Sequence, residues 1–417
     1  MQRIIIALIA VAALVAAGWY GLQSLSGEPH SVRPAPVVRE VPKDLPDTPD
    51  EWRGRIDYRA LDLQLIRLSL RPEMAGLAVA IIEDGQVSFV RTYGVVDRNT
   101  RVPVTPETIF RWASASKTVT GMLAAKLSDD KLVNLDRPVS NWQTSLHLPG
   151  DAEKRVTLAQ LLAHQTGLTK NAYDEKLEDG ERPDVLRAGL AAAPLQCEPG
   201  TCHTYQNIAF DAASEILGEA GQMPFADAVK QRFFRPLGMA SASYGMTGLT
   251  QARDWARPHR NSEVRKLKEA YWRVPAAAGV NSNIIDFARW MQAAMGERLD
   301  VLPANVLQIA QAPRVGTRRL YSGDLAQAIT DSQYGLGWRS FTYAGHRLAG
   351  HSGAVDGYRA TMIFEPATKT GVVAMWNSNW GVPFRIPFAV LDSYHNRGDS
   401  NWFDLSGIPL PSTEKSR

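Results

Sequence analysis

Apolar side chains fall at helical spacing through IDYRALDLQLIRLSL, residues 56–70, then change to two strand-like runs in GLAVAIIEDGQVSFVRTYGVV, residues 76–96, hinged on Asp84-Gly85. The change of period predicts a helix followed by a β-hairpin. From about residue 115 to 295 helical spacing dominates, with predicted helices at 115–128, 157–164, 206–218, 224–234 and 284–295, the last ending at Gly296. Strand patterning returns in YRATMIF, 358–364, and VVAMWN, 372–377, separated by a turn region from Pro366 to Gly371. VVAMWN is apolar enough to be buried on both faces. Strands near both ends with helices between them predict an α/β chain of the α+β type. Its antiparallel β-sheet is completed by the two ends of the folded unit and flanked by helices, with a mostly helical domain inserted at about 115–295.

The N-terminal pattern is different in kind. Residues 4–22, IIIALIAVAALVAAGWYGL, carry no charge and approach the ~20 residues that a helix needs to cross a bilayer. Arg3 would stay in the cytoplasm, and Trp19 and Tyr20 fall where the outer interface would lie. The stretch addresses the chain for export, either as an uncleaved inner-membrane anchor or as a signal peptide cut after Ala17. Both readings place the body in the periplasm or another extracytoplasmic space. No cysteine lies near the end of this segment, which excludes a lipoprotein. Residues 23–50 are rich in proline and charge and read as a linker, residues 51–404 as the folded unit, and residues 405–417 as a flexible tail.

Composition narrows the partners. With 45% hydrophobic and 21% charged residues the chain folds, and its 46 basic and 43 acidic residues form no long run of one sign. Nucleic acid is not expected as a partner. No sequence signal sets an oligomeric state, and a monomer is assumed.

The chemistry begins at FRWASASKTVTGMLAAKL, where Ser114 opens an amphipathic helix and Lys117 follows three positions later on the same face. A serine hydroxyl becomes a nucleophile only when a neighbouring base takes its proton, and a desolvated lysine can be that base. An isolated Ser-x-x-Lys is more often a helix cap beside a surface lysine; its company decides otherwise. Tyr205-Gln206-Asn207 stands at the mouth of a later helix, offering a phenol to relay protons and a carboxamide to orient the lysine or hold a substrate amide. His351-Ser352-Gly353 leads into a late strand, where a glycine would let substrate lie against the backbone and a following N–H could join that of Ser114 in an oxyanion hole.

In that order and at those intervals, the three motifs resemble the serine β-lactamase and penicillin-binding protein superfamily, and within it the class C β-lactamase and D-alanyl-D-alanine carboxypeptidase branch. LLAHQTGL (161–168), FRPLGM (234–239), GVNSNIIDFARWMQAAM (279–295) and YGLGW (334–338) agree, and the resemblance covers about residues 60–395. It implies a β-lactamase/transpeptidase-like fold with the site between sheet and helical domain. It also implies that Ser114 is acylated, Lys117 accepts its proton, and Tyr205 shuttles protons to the leaving nitrogen and the deacylating water. Asn207 and Asn171 would contact the substrate acylamide, and the N–H groups of Ser114 and Ala354 would form the oxyanion hole. Asn377 and Asn379 are expected in packing or turn roles. The implied substrate is a small molecule: a β-lactam first, with a D-amino-acid peptide or short acyl ester as alternatives. A non-catalytic cell-wall binding protein is the reading from a different class.

One position departs from the class C pattern. His351 stands where those enzymes carry lysine, and a histidine of ordinary pKa about 6.5 would grip a substrate carboxylate weakly or in a pH-dependent way. His164, ahead of Gly167, is expected to hold a turn. No cofactor or metal is expected, although His346 with His351, or Cys197 and Cys202 with His203, are conceivable ligand groups. Outside the cytoplasm the chain's two cysteines would instead pair across the Pro199-Gly200 turn, fixing the approach to Tyr205.

Overall fold

The computed structural model describes residues 54–318, 321–398 and 401–405. The expected export segment and linker lie outside these residues, as does all of the expected tail except Leu405, which is buried.

Eight strands form one antiparallel sheet: β1 (Gly76–Glu83), β2 (Gln86–Gly94), β3 (Val315–Gly316), β4 (Ile329–Tyr334), β5 (Arg339–Tyr343), β6 (His346–Val355), β7 (Tyr358–Glu365) and β8 (Thr370–Trp376). Their order, β2-β1-β8-β7-β6-β5-β4-β3, places the last strand beside the first, with Leu77 opposite Trp376. The two ends of the folded unit therefore close the sheet, as the hydrophobic pattern predicts. Four further strands, β3 to β6, were not legible in that pattern and extend the sheet beyond β7.

Every residue of β1 is buried, and the period of two sorts them between two cores. Ala78, Ala80 and Ile82 face the large core with α4 (Ile284–Ala294), whereas Leu77, Val79 and Ile81 face α1 (Tyr58–Ser69) and α5 (Ile386–Tyr394). A fully buried Leu, Val or Ile contributes about 1.5–3 kcal/mol, so a polar residue at Ile81 would remove one such contribution and bury an unpaired group. α4 starts where predicted because Asn283 accepts a hydrogen bond from the Asp286 amide at 2.9 Å.

Between β2 and β3 the chain is mainly helical and contains α2 (Lys117–Asp129) and α3 (Ala212–Gly221). A small sheet joins Phe110–Arg111 and Ser243–Tyr244 to the central Val280–Ser282. α3 begins six positions later than the predicted start at 206, because residues 207–211 form turns that free the Asn207 side chain for contacts with other elements.

Candidate active site

Trp112 donates to Val280 O at 3.0 Å, and the chain then turns sharply through Ala113, whose φ is +49°. A short 3-10 turn, Ala113–Ser116, carries Ser114 half-buried and runs directly into α2. Lys117 is the first residue of α2 and is fully buried. Its Nζ lies 3.4 Å from Ser114 Oγ, 2.7 Å from Asn207 Oδ1 and 3.0 Å from Ala277 O. Two of these partners are carbonyl oxygens, which can only accept. In the amine form, two N–H bonds serve those carbonyls and the lone pair is left facing the serine hydroxyl. That arrangement is what proton removal from Ser114 requires.

Asn207 is held from behind. Its Nδ2 donates to Asp174 Oδ2 at 2.7 Å, which fixes the carboxamide with Oδ1 toward Lys117. Tyr271 also reaches Asp174 Oδ2, at 3.3 Å. Burial dominates at this carboxyl and raises its pKa to about 6, against the hydrogen bond from Asn207 and the positive charge of Lys117. The Tyr205 ring stands 4.8 Å from Lys117 Nζ, so the serine, lysine, tyrosine and asparagine come together as the motifs imply. Asn171 does not join them through a hydrogen bond of its side chain among the described residues. Its backbone N–H instead donates to Tyr205 O at 2.9 Å, and its side chain is exposed beside that loop.

His351 departs from the expectation. Its side chain is 1% exposed and is enclosed in a chain of neutral hydrogen bonds. The Gln206 N–H donates to His164 Nδ1 at 3.2 Å, His164 Nε2 meets the Tyr334 hydroxyl at 3.1 Å, that hydroxyl meets His351 Nε2 at 2.8 Å, and His351 Nδ1 meets Ser352 O at 2.7 Å. One proton order satisfies every member: His164 and Tyr334 donate in turn toward His351, which donates to the carbonyl. Burial first, then the charges of Arg339 and Lys117, hold His351 well below the usual histidine pKa. Burial also holds His164 low, with a nearby histidine and the same two cations adding to it. His351 is therefore a neutral supporting residue, not a pH-dependent grip, and His164 holds its turn as expected.

A cation stands near it all the same. Arg339, half-buried on β5, sets its guanidinium 5.6 Å from the Tyr205 ring centroid and 5.0 Å from that of Tyr334, with no salt-bridge partner among the described residues. Sequence reasoning missed Arg339, Asp174, Tyr271 and Tyr334. Only Tyr334 had a signal, through YGLGW. Gly337 of that stretch has φ +71°, and a Cβ there would fall 2.1 Å from Lys117 O, so YGLGW seats Tyr334 against the start of α2.

Gly353 has a different use from the one expected. A Cβ on it would fall 2.0 Å from Trp112 O and 2.9 Å from Ser114 N, so the glycine admits the backbone of Trp112 to Ser114 against β6. Ala354 follows exposed, and Ser352 pairs across to Thr361 with its hydroxyl 2.9 Å from that of Thr361. Asn377 is buried and donates to the Val96 and Arg257 carbonyls, while Asn379 spans Gly357 and Asp356, so both serve packing and turns. Cys197 and Cys202 form a disulfide with Cα atoms 6.4 Å apart. This occupies both sulfurs and removes the metal reading with His203. The bridged loop rests on the His164 turn: Cys197 N–H donates to Gly167 O and Thr204 N–H to His164 O. The disulfide therefore clamps the approach to Tyr205.

A protein-family model described as Beta-lactamase matches residues 66–388. Among curated proteins, the chain is 26% identical over 343 residues to the "Unguisins hydrolase ungD" of Aspergillus violaceofuscus, covering 74% of this chain and 59% of that protein. It is 24% identical over 352 residues to a "Beta-lactamase" of Yersinia enterocolitica, covering 75% and 85%. The chain thus spans about three fifths of the length of the first of these relatives. Among solved structures, the octameric penicillin-binding protein homologue from Pyrococcus abyssi superposes with a TM-score of 0.72 at 22% identity, covering 82% of this chain and 78% of that one. A class C beta-lactamase mutant superposes at 0.65 and 20% identity, covering 81% and 97%.

Proposed function

This chain belongs to the Beta-lactamase family, and from that premise we propose a serine hydrolase that opens amide bonds through an acyl-enzyme on Ser114, with β-lactams as its first substrate class. The observation that carries the reading is Lys117, buried with two carbonyl acceptors and its remaining direction turned to Ser114 Oγ. Lys117 takes the hydroxyl proton as Oγ bonds to the carbonyl carbon, and the N–H groups of Ser114 and Ala354 receive the oxyanion. The C–N bond then breaks, with Tyr205 delivering a proton to the leaving nitrogen and taking the serine's proton in its place from Lys117. Water attacks the ester carbonyl in turn, giving its proton back through Tyr205 and Lys117 and releasing the acid and the serine. Asp174 and Asn207 are positioning residues that keep the lysine aimed.

Arg339 supplies the positive charge that a buried, neutral His351 does not, and receives a substrate carboxylate. Hydrolysis of D-amino-acid peptides is the second reading. It is favoured by the absence of the class C lysine at position 351. A chromogenic cephalosporin, a D-Ala-D-Ala peptide and a neutral nitrophenyl ester, assayed side by side, separate the readings. Fastest turnover of the cephalosporin supports the first and of the peptide the second; an ester-only enzyme overturns both. Arg339→Ala should raise KM for the two carboxylate substrates at least tenfold and leave the ester unchanged, because a charge-assisted hydrogen bond of ~1.5–3 kcal/mol is lost. Export through residues 4–22 belongs to the same proposal, supported by the disulfide, which suits an oxidising compartment. Recovery of the mature protein from the cytoplasmic fraction, with free thiols, would count against it.

A further inference from the structure

The sequence pattern raises His346 as a ligand only in company with His351. Five positions apart on one strand, the two side chains leave β6 on opposite faces of the sheet. They cannot share an ion. His346 meets a different pair. Its Nδ1 lies 2.8 Å from Glu365 Oε1, and His395 Nε2 lies 2.8 Å from Glu365 Oε2. The two imidazoles stack with centroids 3.7 Å apart and planes 26° from parallel. Thr368 donates to Glu365 Oε2 at 3.0 Å, so the carboxylate is oriented from a third side.

From these contacts we infer that His346, Glu365 and His395 form a site for a divalent first-row transition metal. Two imidazoles and a carboxylate are the donor set that borderline ions such as Zn²⁺ prefer over hard cations. The three donor atoms already lie within 4.8 Å of one another. Adjacent ligands of a tetrahedral zinc with bonds of 2.0–2.1 Å stand about 3.3 Å apart, so the donors draw in by at most about 1.5 Å as the stacked imidazoles turn toward the ion. Glu365 and His395 are mostly enclosed and His346 is a third exposed, which leaves an entry path and room for water as a fourth ligand. Thr368 is the outer partner that metal carboxylates commonly have.

The donors come from the start of β6, the end of β7 and the residue after α5, so a bound ion ties the helix to the sheet. The site is remote from the nucleophile. Glu365 lies five residues along β7 from Ala360, the partner of Gly353, which is roughly 16 Å at the rise of an extended strand. The metal's effect is therefore on stability, not on acyl transfer.

Isothermal titration of Zn²⁺ into the untagged, chelator-treated full chain tests this, with thermal melts and turnover measured in parallel. We expect one equivalent bound, a higher Tm with zinc, and turnover unchanged. Thr368→Val should weaken binding about tenfold as an outer-partner loss. His346→Gln and His395→Gln should each weaken it further, with far-UV circular dichroism confirming their folds. Zinc K-edge spectra should show only nitrogen and oxygen neighbours at about 2.0–2.1 Å. A wild type that binds no zinc, or a His346→Gln/His395→Gln double variant that binds it as the wild type does, overturns the site and leaves a carboxylate-bridged histidine latch.

Discussion

Replacing Asp174 by asparagine removes a charge that the fold holds at a cost. The residue is 7% exposed, its Oδ1 has no hydrogen-bond partner among the described residues, and its Oδ2 accepts from Asn207 and Tyr271. Burial outweighs the hydrogen bond from Asn207 and the field of Lys117, lifting the pKa from 3.8 to about 6. A folded-state pKa above the unfolded one means that the native state holds its proton more tightly. The stabilising contribution is therefore complete below about pH 4 and is lost as the pH rises through about 6. Roughly two units of difference correspond to about 3 kcal/mol at high pH. Asparagine keeps the shape and an acceptor for Asn207 but does not titrate. Urea unfolding of both proteins across about pH 4 to 8 should show the stability of the wild type, relative to Asp174→Asn, falling by ~2–3 kcal/mol over that range. Most of the fall should come below about pH 6.5. The wild type should also show a limb in kcat/KM near about pH 6 that the variant lacks. Parallel stability curves would refute the assignment of a buried, costly charge behind Asn207.

Gly353→Ala should lower stability by about 1–3 kcal/mol through overlap with Trp112 O, and should cost turnover far more, since a displacement of ~1 Å at Ser114 is worth about 100-fold; melts and kinetics on the same preparation check the split. Cys197→Ser with Cys202→Ser should lose about 2 kcal/mol, as should the wild type under reductant, read by chemical unfolding. Tyr334→Phe leaves His164 Nε2 and His351 Nε2 unpaired and should cost about 1–3 kcal/mol in unfolding free energy, while Ser114 still acylates.

The outer shape of the sheet was legible because β1, β7 and β8 bury nearly unbroken apolar runs, and β2, buried only at Phe89 and Val90, follows β1 across the Asp84-Gly85 turn. Strands β4 to β6 were not, because ITDSQY and HRLAGHSGAV mix polar residues and glycine with the apolar ones. At the site, Ser114, Lys117, Tyr205 and Asn207 were legible because local spacing on a helix or at a helix mouth already constrains them. Asp174 and Arg339 were not: each reaches the site through tertiary packing, and nothing in KNAYDEK or GWRSF marks one charged residue as different from its neighbours. His351 shows the limit from the other side. Its position in the motif was read correctly, but its environment depends on Tyr334 and His164, which no local window contains. The cysteine pair was legible because five-residue spacing and a Pro-Gly turn fix its geometry locally.

Ser114 as the acylated atom is tested most directly by intact-mass spectrometry after rapid quenching of the protein with a penicillin. One equivalent of penicilloyl adduct should appear in the wild type, map by peptide digestion to the segment holding Ser114, decay as hydrolysed product accumulates, and be absent from folded Ser114→Ala. An adduct on another residue, or turnover that survives Ser114→Ala, would contradict the acyl-enzyme reading of this site.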